Sequence, residues 1–197
     1  PIDRNKNMSE TRPDYWYFKN VFTKNEIKEI DAFACKNIDG DEPEQHAAKD
    51  HDNNKIKNVD TKLIYWGKIK HLLGDLENLI VHTNDNHFGY SVYPLRDKDF
   101  INYNIYSSKT KGNYGWHIDQ TTKQYKDMKL TCLINISTKP YKGGAFHIFN
   151  SGPYIVNEFT QAGDVLVFRS YLNHMVMPVE TGERKTLALF MEGPLMR

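Results

Sequence analysis

Cysteine is nearly missing from this chain: Cys35 and Cys132 are the only two in 197 residues. Two thiols cannot complete a structural zinc site alone, and nothing in their spacing suggests a disulfide framework. A reducing compartment, the cytoplasm, is therefore expected. Long hydrophobic runs are missing too. No stretch approaches the roughly 18 apolar residues of a membrane-spanning helix, and Pro1-Ile2-Asp3-Arg4 does not read as a signal peptide. A start at Pro1 with Met8 nearby fits a tag remnant or a processed terminus. Excess charge of one sign is the third absence. Against 26 Lys+Arg stand 25 Asp+Glu, a formal net charge of +1. That balance carries no polyanion-binding signature, although it leaves room for a local basic patch. Neither an internal repeat nor a low-complexity tract is found.

What is present is enough to fold. With 39% hydrophobic residues the chain can bury a core, and its length favours one domain. We expect a single domain over residues 1–197: helical support and a polar loop over 1–87, and a β-rich core over 88–197. Thr23, with Glu26 three residues on, forms a capping box ahead of Ile27, Ile30 and Ala34, so a helix is expected from there to Cys35. Residues 39–60 are polar and read as a surface loop or a lid. A short strand over 61–66 and a second helix over 68–79, broken near Gly74, are expected next. From residue 88 the texture changes to short alternating runs at 88–95, 100–106, 130–137, 144–150, 154–159, 164–169 and 184–191. Many short strands at close spacing argue for an antiparallel sandwich or jelly roll, with the helices packed on one sheet.

Histidine is the conspicuous residue, with eight copies. Only one is followed two residues later by a carboxylate, in His117-Ile118-Asp119. On a strand such a pair projects to one face and can hold one metal from one side. The pair follows the turn Gly112-Asn113-Tyr114-Gly115-Trp116, and a later His174 follows the apolar strand Val165-Leu166-Val167-Phe168. Two His and one Asp make a facial triad that leaves half of an octahedral Fe(II) sphere open, room for a bidentate keto acid and O₂. Arg184, ten residues past His174, is suited to a two-pronged contact with the keto acid's far carboxylate. Thr186 shares its strand face and offers a hydroxyl. Each residue also has a plain reading: Asp119 as a solvated strand residue, His174 as a satisfied core histidine, Arg184 as a turn charge. The joint order of all four favours the functional one.

These residues resemble the 2-oxoglutarate- and Fe(II)-dependent oxygenases, in their prolyl 4-hydroxylase-like branch. The resemblance runs through Tyr106, residues 112–119, Leu130-Thr131-Cys132-Leu133-Ile134-Asn135, Tyr141-Lys142-Gly143-Gly144-Ala145-Phe146, residues 162–168 and residues 174–184. It is detailed over 103–192. It implies a mainly β (α+β) fold, the distorted double-stranded β-helix, with iron on His117, Asp119 and His174 and 2-oxoglutarate anchored by Arg184. Tyr106 matches a family tyrosine near the cosubstrate, and Asn135 falls where relatives often carry a tyrosine that touches its far carboxylate. Strand parity adds that Leu130, Cys132, Ile134 and Ile136 form one apolar face, leaving Thr131, Leu133 and Asn135 for the pocket. Lys185 should then point away from it.

The activity implied is hydroxylation of a substrate carbon, with 2-oxoglutarate and O₂ giving succinate and CO₂, and ascorbate allowed as a reductant. Asp119 disfavours halogenation, which needs that position vacated for chloride. Prolyl residues of a peptide or protein are the favoured substrate. The alternatives are a small molecule or free amino acid, a nucleic-acid demethylase, and, least favoured, a non-catalytic jelly-roll binding module. The demethylase branch carries a second Arg six residues past the cosubstrate Arg, where this chain has Phe190. No membrane partner is expected, and the sequence does not address oligomeric state. Tyr114 and Trp116 either shape the mouth or pack the sheet. His147 reads as surface, and His46, His51, His71, His82 and His87 show no ligand pattern.

Overall fold

The capping box forms as the sequence requires: Glu26 N–H donates to Thr23 Oγ1 (3.3 Å), and Thr23 N–H donates to Glu26 Oε2 (2.7 Å). The computed structural model describes residues 13–41, 56–119, 122–123 and 126–195. In chain order the elements are β1 (Tyr15–Phe18), α1 (Lys24–Lys36), β2 (Gly40–Asp41), β3 (Lys57–Asn58), β4 (Asp60–Tyr65), α2 (Trp66–Ile69) and α3 (Leu76–Thr83). There follow β5 (Phe100–Ser107), β6 (Asn113–His117), β7 (Thr122–Lys123), β8 (Lys126–Asn135), β9 (Lys142–Gly143), β10 (Phe146–Phe149) and β11 (Pro153–Ile155). The last are β12 (Val165–Arg169), β13 (Asn173–Val176), β14 (Val179–Thr181) and β15 (Glu183–Pro194).

Among the described residues two antiparallel sheets face each other. The major one has the order β1-β12-β8-β15-β5-β4-β2, with β7 on β8, and the minor one β11-β10-β13-β6-β3. This is the expected jelly roll. Strand alternation sorts the core into two layers. Outward from the major sheet, Leu130, Cys132, Ile134, Val165, Val167, Leu187 and Leu189 pack against Ile27, Ile30, Ala34, Ile69, Leu76 and Ile80 of the helices. Inward, Tyr106, Leu133, Leu166, Phe168 and Ala188 meet Phe146, Ile148 and Val176 of the minor sheet. The β8 parity reading thus holds for Leu130, Cys132, Ile134 and Ile136 on the helix side and for Leu133 on the other. No helix among the described residues is long and apolar enough to cross a membrane.

Several expectations are corrected. The strand over 88–95 does not form. A π-turn at Asn84–Phe88 leads into irregular chain, where the Asn84 carboxamide donates to Tyr90 O (2.7 Å) and accepts from Tyr90 N–H (3.0 Å). A side chain satisfies the backbone that a strand ladder would otherwise have to pair. The helix expected over 68–79 is broken near Gly74 as anticipated, where φ of +55° suits glycine, but its two parts run over Trp66–Ile69 and Leu76–Thr83. Strand β1 was not anticipated. With β2 and β3 it lies in the stretch read as helical support and polar loop, while β4 is the strand expected over 61–66. Most of the polar 39–60 segment, with His46 and His51, lies outside the described residues.

Candidate metal centre

Register brings the two histidines together. His117, the last residue of β6, pairs with His174 of β13, their ring centroids 4.1 Å apart. Asp119 sits just beyond β6, where its N–H donates to Ser170 O (2.9 Å). Its carboxylate then reaches both rings: Oδ1 lies 3.5 Å from His117 Nε2 and Oδ2 lies 3.4 Å from His174 Nε2. The three donor atoms fall within 4.8 Å of one another. One ion can bridge them.

The surroundings aim the donors. His117 Nδ1 lies 2.7 Å from Gly115 O and His174 Nδ1 2.9 Å from Leu172 O. A carbonyl only accepts, so each Nδ1 carries the proton and each Nε2 lone pair faces the shared centre. Tyr114 stacks on His117 with ring centroids 3.4 Å apart. Thr131 Oγ1–H donates to Asp119 Oδ2 (2.9 Å), and the Ser170 hydroxyl lies 2.9 Å from Thr131 Oγ1. Burial, then the neighbouring His117 ring, pushes His174 down to about 4, although the Asp119 charge opposes this. Burial works against ionised Asp119, but His174, His117 and the Thr131 hydroxyl hold it down at about 2. At neutral pH the centre therefore offers a neutral His174 and one carboxylate charge, a donor set that fits a divalent cation.

Arg184 completes the picture from β15, opposite Tyr106 of β5. It is 1% exposed, and Nη2 is buried without a hydrogen-bond acceptor. The Tyr106 and Phe159 rings lie 5.2 and 5.6 Å from the guanidinium carbon. An unpaired buried cation costs several kcal/mol in principle, so this arrangement is suited to an anion brought in from outside. One narrow cavity of about 40 Å³ is lined by His117, Asp119, His174, Arg184, Tyr106, Thr186 and Leu133. A larger cavity of about 620 Å³ lies behind Arg184 and holds none of the donors.

Asn135 stands apart from the metal cavity. Its Nδ2–H₂ donates to Tyr141 Oη (3.0 Å) and Thr160 O (3.4 Å), and its Oδ1 accepts from Ser137 N–H (3.1 Å). Asn135 is the last residue of β8, and its amide turns onto the following loop. Trp116 is half-exposed and meets Phe149 edge-on rather than the donors. Lys185 points away, as expected, onto Asp31 (3.0 Å). Lys57 and Asn102, not singled out in the sequence, also line the cavity, together with Asn104 and with Phe190, which the sequence reading weighed only against a second arginine. For the two asparagines, parity with Tyr106 along β5 was the available signal.

Residues 101–192 match the model of the 2OG-Fe(II) oxygenase superfamily. No curated protein matches the chain. Among solved structures it is similar to a prolyl-4-hydroxylase of Pseudomonas putida, with TM-score 0.66 and 14% identity over 94% of this chain and 95% of that one. It is similar also to the viral collagen prolyl hydroxylase of Paramecium Bursaria Chlorella virus-1, solved with 2OG (TM-score 0.64, 13% identity, 92% of this chain and 97% of that one). A third is a prolyl hydroxylase of Trichoplax adhaerens in complex with a hypoxia inducible factor peptide fragment (TM-score 0.62, 16% identity, 90% of this chain and 83% of that one). The segment from β5 through most of β15 is thereby placed in the 2OG-Fe(II) oxygenase superfamily. The fold it builds is shared with prolyl 4-hydroxylases.

Proposed function

We propose that this chain is an Fe(II)- and 2-oxoglutarate-dependent dioxygenase that hydroxylates a carbon of its substrate. The observation that carries the reading is the pairing of a His-Asp-His donor set with a buried, acceptor-less Arg184 in one cavity. His117, Asp119 and His174 would hold the metal, and Arg184, with Thr186 beside it, would hold the far carboxylate of 2-oxoglutarate. Iron and the cosubstrate, when bound, supply the oxidising chemistry in which 2-oxoglutarate and O₂ become succinate and CO₂ and one oxygen enters a C–H bond. The chain contributes position. The Nδ1–carbonyl bonds fix the imidazoles, Thr131 fixes Asp119, and the apolar wall of Leu133, Phe146 and Ala188 keeps bulk water from the cavity. One carboxylate against a divalent cation, plus the Arg184 charge, leaves a net positive site matched to a dianion.

Prolyl residues of a peptide or protein are the substrate we favour. The named prolyl hydroxylases that share the fold support this, one of them bound to a peptide fragment. Phe190 in place of a second arginine and the balanced charge weigh against nucleic acid. The two thiols, both free, suit the cytoplasm. The test is succinate formation from 2-oxoglutarate with Fe(II) and ascorbate, followed by mass spectrometry of proline-containing peptides for a gain of roughly 16 Da, one oxygen. If the iron-loaded protein neither binds nor turns over 2-oxoglutarate, the enzyme reading is lost. Turnover with proline peptides untouched, but another acceptor oxidised, removes only the substrate class.

A further inference from the structure

The larger cavity is not part of the metal site, and its lining is one-sided in charge. It lies between the start of α1 and the loop that follows β8, and among its described lining residues are Lys24, Lys28, Lys139 and Lys142, with no Asp or Glu. All four are exposed and none has a carboxylate partner among the described residues. In a chain with a net charge of +1 this is a local excess. Lys24 and Lys28 are an i,i+4 pair in the opening turns of α1, where they repel each other and oppose the positive end of the helix dipole. The lining also includes the apolar and aromatic side chains of Tyr141, Phe146, Ile155 and Phe159.

We propose that this cavity binds an organic anion with an apolar body, its charged head among the lysines and its body against the aromatic wall. A volume of about 620 Å³ lies within the range of small-molecule sites. The site stands on its own lining and does not depend on the oxygenase reading. It is nonetheless backed onto the metal cavity. The Phe146 ring also lies 5.4 Å from the His174 ring, and the Phe159 ring 5.6 Å from the Arg184 guanidinium carbon. Gly144, at φ +67°, lines the lysine side while a Cβ there would come within 2.8 Å of Arg184 Cδ.

The probe is 8-anilinonaphthalene-1-sulfonate, an arylsulfonate whose fluorescence rises in apolar surroundings. It is titrated into the full chain, alone and with Mn(II) and 2-oxoglutarate. The expected result is one saturable site per chain whose affinity falls about tenfold in Lys28→Glu/Lys142→Glu and less in Lys28→Gln/Lys142→Gln, and weakens with salt. Both pairs sit at exposed positions, and thermal melting checks that the variants fold. Mn(II) with 2-oxoglutarate should leave the probe bound. Unchanged affinity in the Glu variant, displacement by Mn(II) with 2-oxoglutarate, or no saturable binding at all would each overturn the proposal.

Discussion

Arg184 and Lys185 are neighbours on β15, both cationic, and they point to opposite faces of the same sheet. Lys185 is answered: both oxygens of Asp31 lie 3.0 Å from its ammonium, and Tyr103 Oη–H donates to Asp31 at 2.7 Å. Arg184 is not, for its Nη2 is buried without an acceptor. The residues that follow keep the division. Leu187, Leu189 and Met191 enter the helix-side core, while Thr186, Ala188 and Phe190 line the metal cavity. The lesson is that burial alone does not separate structure from function. A polar network closed within the chain holds the fold, and one left open on a cavity is free to take a ligand.

The comparison can be broken at several points. The largest effect is expected at the donors: Asp119→Ala should lower Mn(II) affinity by more than about a hundredfold, beyond the loss typical of an outer-shell partner. Calorimetric titration reads this, and succinate formation should vanish with it. Next, Arg184→Met should weaken 2-oxoglutarate binding about 10–100-fold, the value of a charged hydrogen bond, while thermal stability holds or rises because an unpaired buried charge has gone. Lys185→Met should do the reverse. It should cost about 1–3 kcal/mol in denaturant unfolding by leaving Asp31 without its cation, with cosubstrate affinity unchanged. If both variants shift the same quantity, the two faces are not the separate systems described above.

Thr131→Val should lower metal affinity about tenfold without unfolding the chain, since it frees Asp119 to turn rather than removing it. The smallest effect is expected from pH. His174, pushed down to about 4 from 6.5, stays neutral in the folded metal-free protein while the unfolded chain takes up its proton. Falling pH should therefore remove stability between about 6.5 and 4. Asp119, held at about 2 against 3.8, contributes stability above 3.8 that is lost as pH falls through 2. Urea midpoints of the metal-free protein across this range should decline, and His174→Gln should lack the upper part of the decline.

Local rules made much of this legible. The Thr23–Glu26 box marked α1 because capping depends on residues three apart in the chain. The alternation on β8 separated Cys132 and Ile134 from Thr131 and Leu133 because side chains on a strand change faces at every residue. Plain alternation would set Tyr114 on the face opposite His117. Between β6 and β13 the register shifts, so that His117 faces His174 but Tyr114 faces Val176, and the extra residue turns Tyr114 onto the His117 ring. The Ser170–Thr131–Asp119 chain joins residues 39 and 12 apart in sequence, and no local spacing announces it.

By itself the sequence determined which residues have the chemistry of a metal centre and which strands alternate, because ligand type and strand period are properties of short segments. Tertiary structure alone decided which of those residues share a cavity. It turned the Asn135 amide away from the metal cavity, onto Tyr141 and the backbone of Ser137, and left Arg184 buried without an acceptor. It also gathered four lysines around a second cavity in a chain of nearly balanced charge. The reason is physical: the register of distant strands sets who faces whom, and that register depends on bulges and on packing between sheets that no short segment contains.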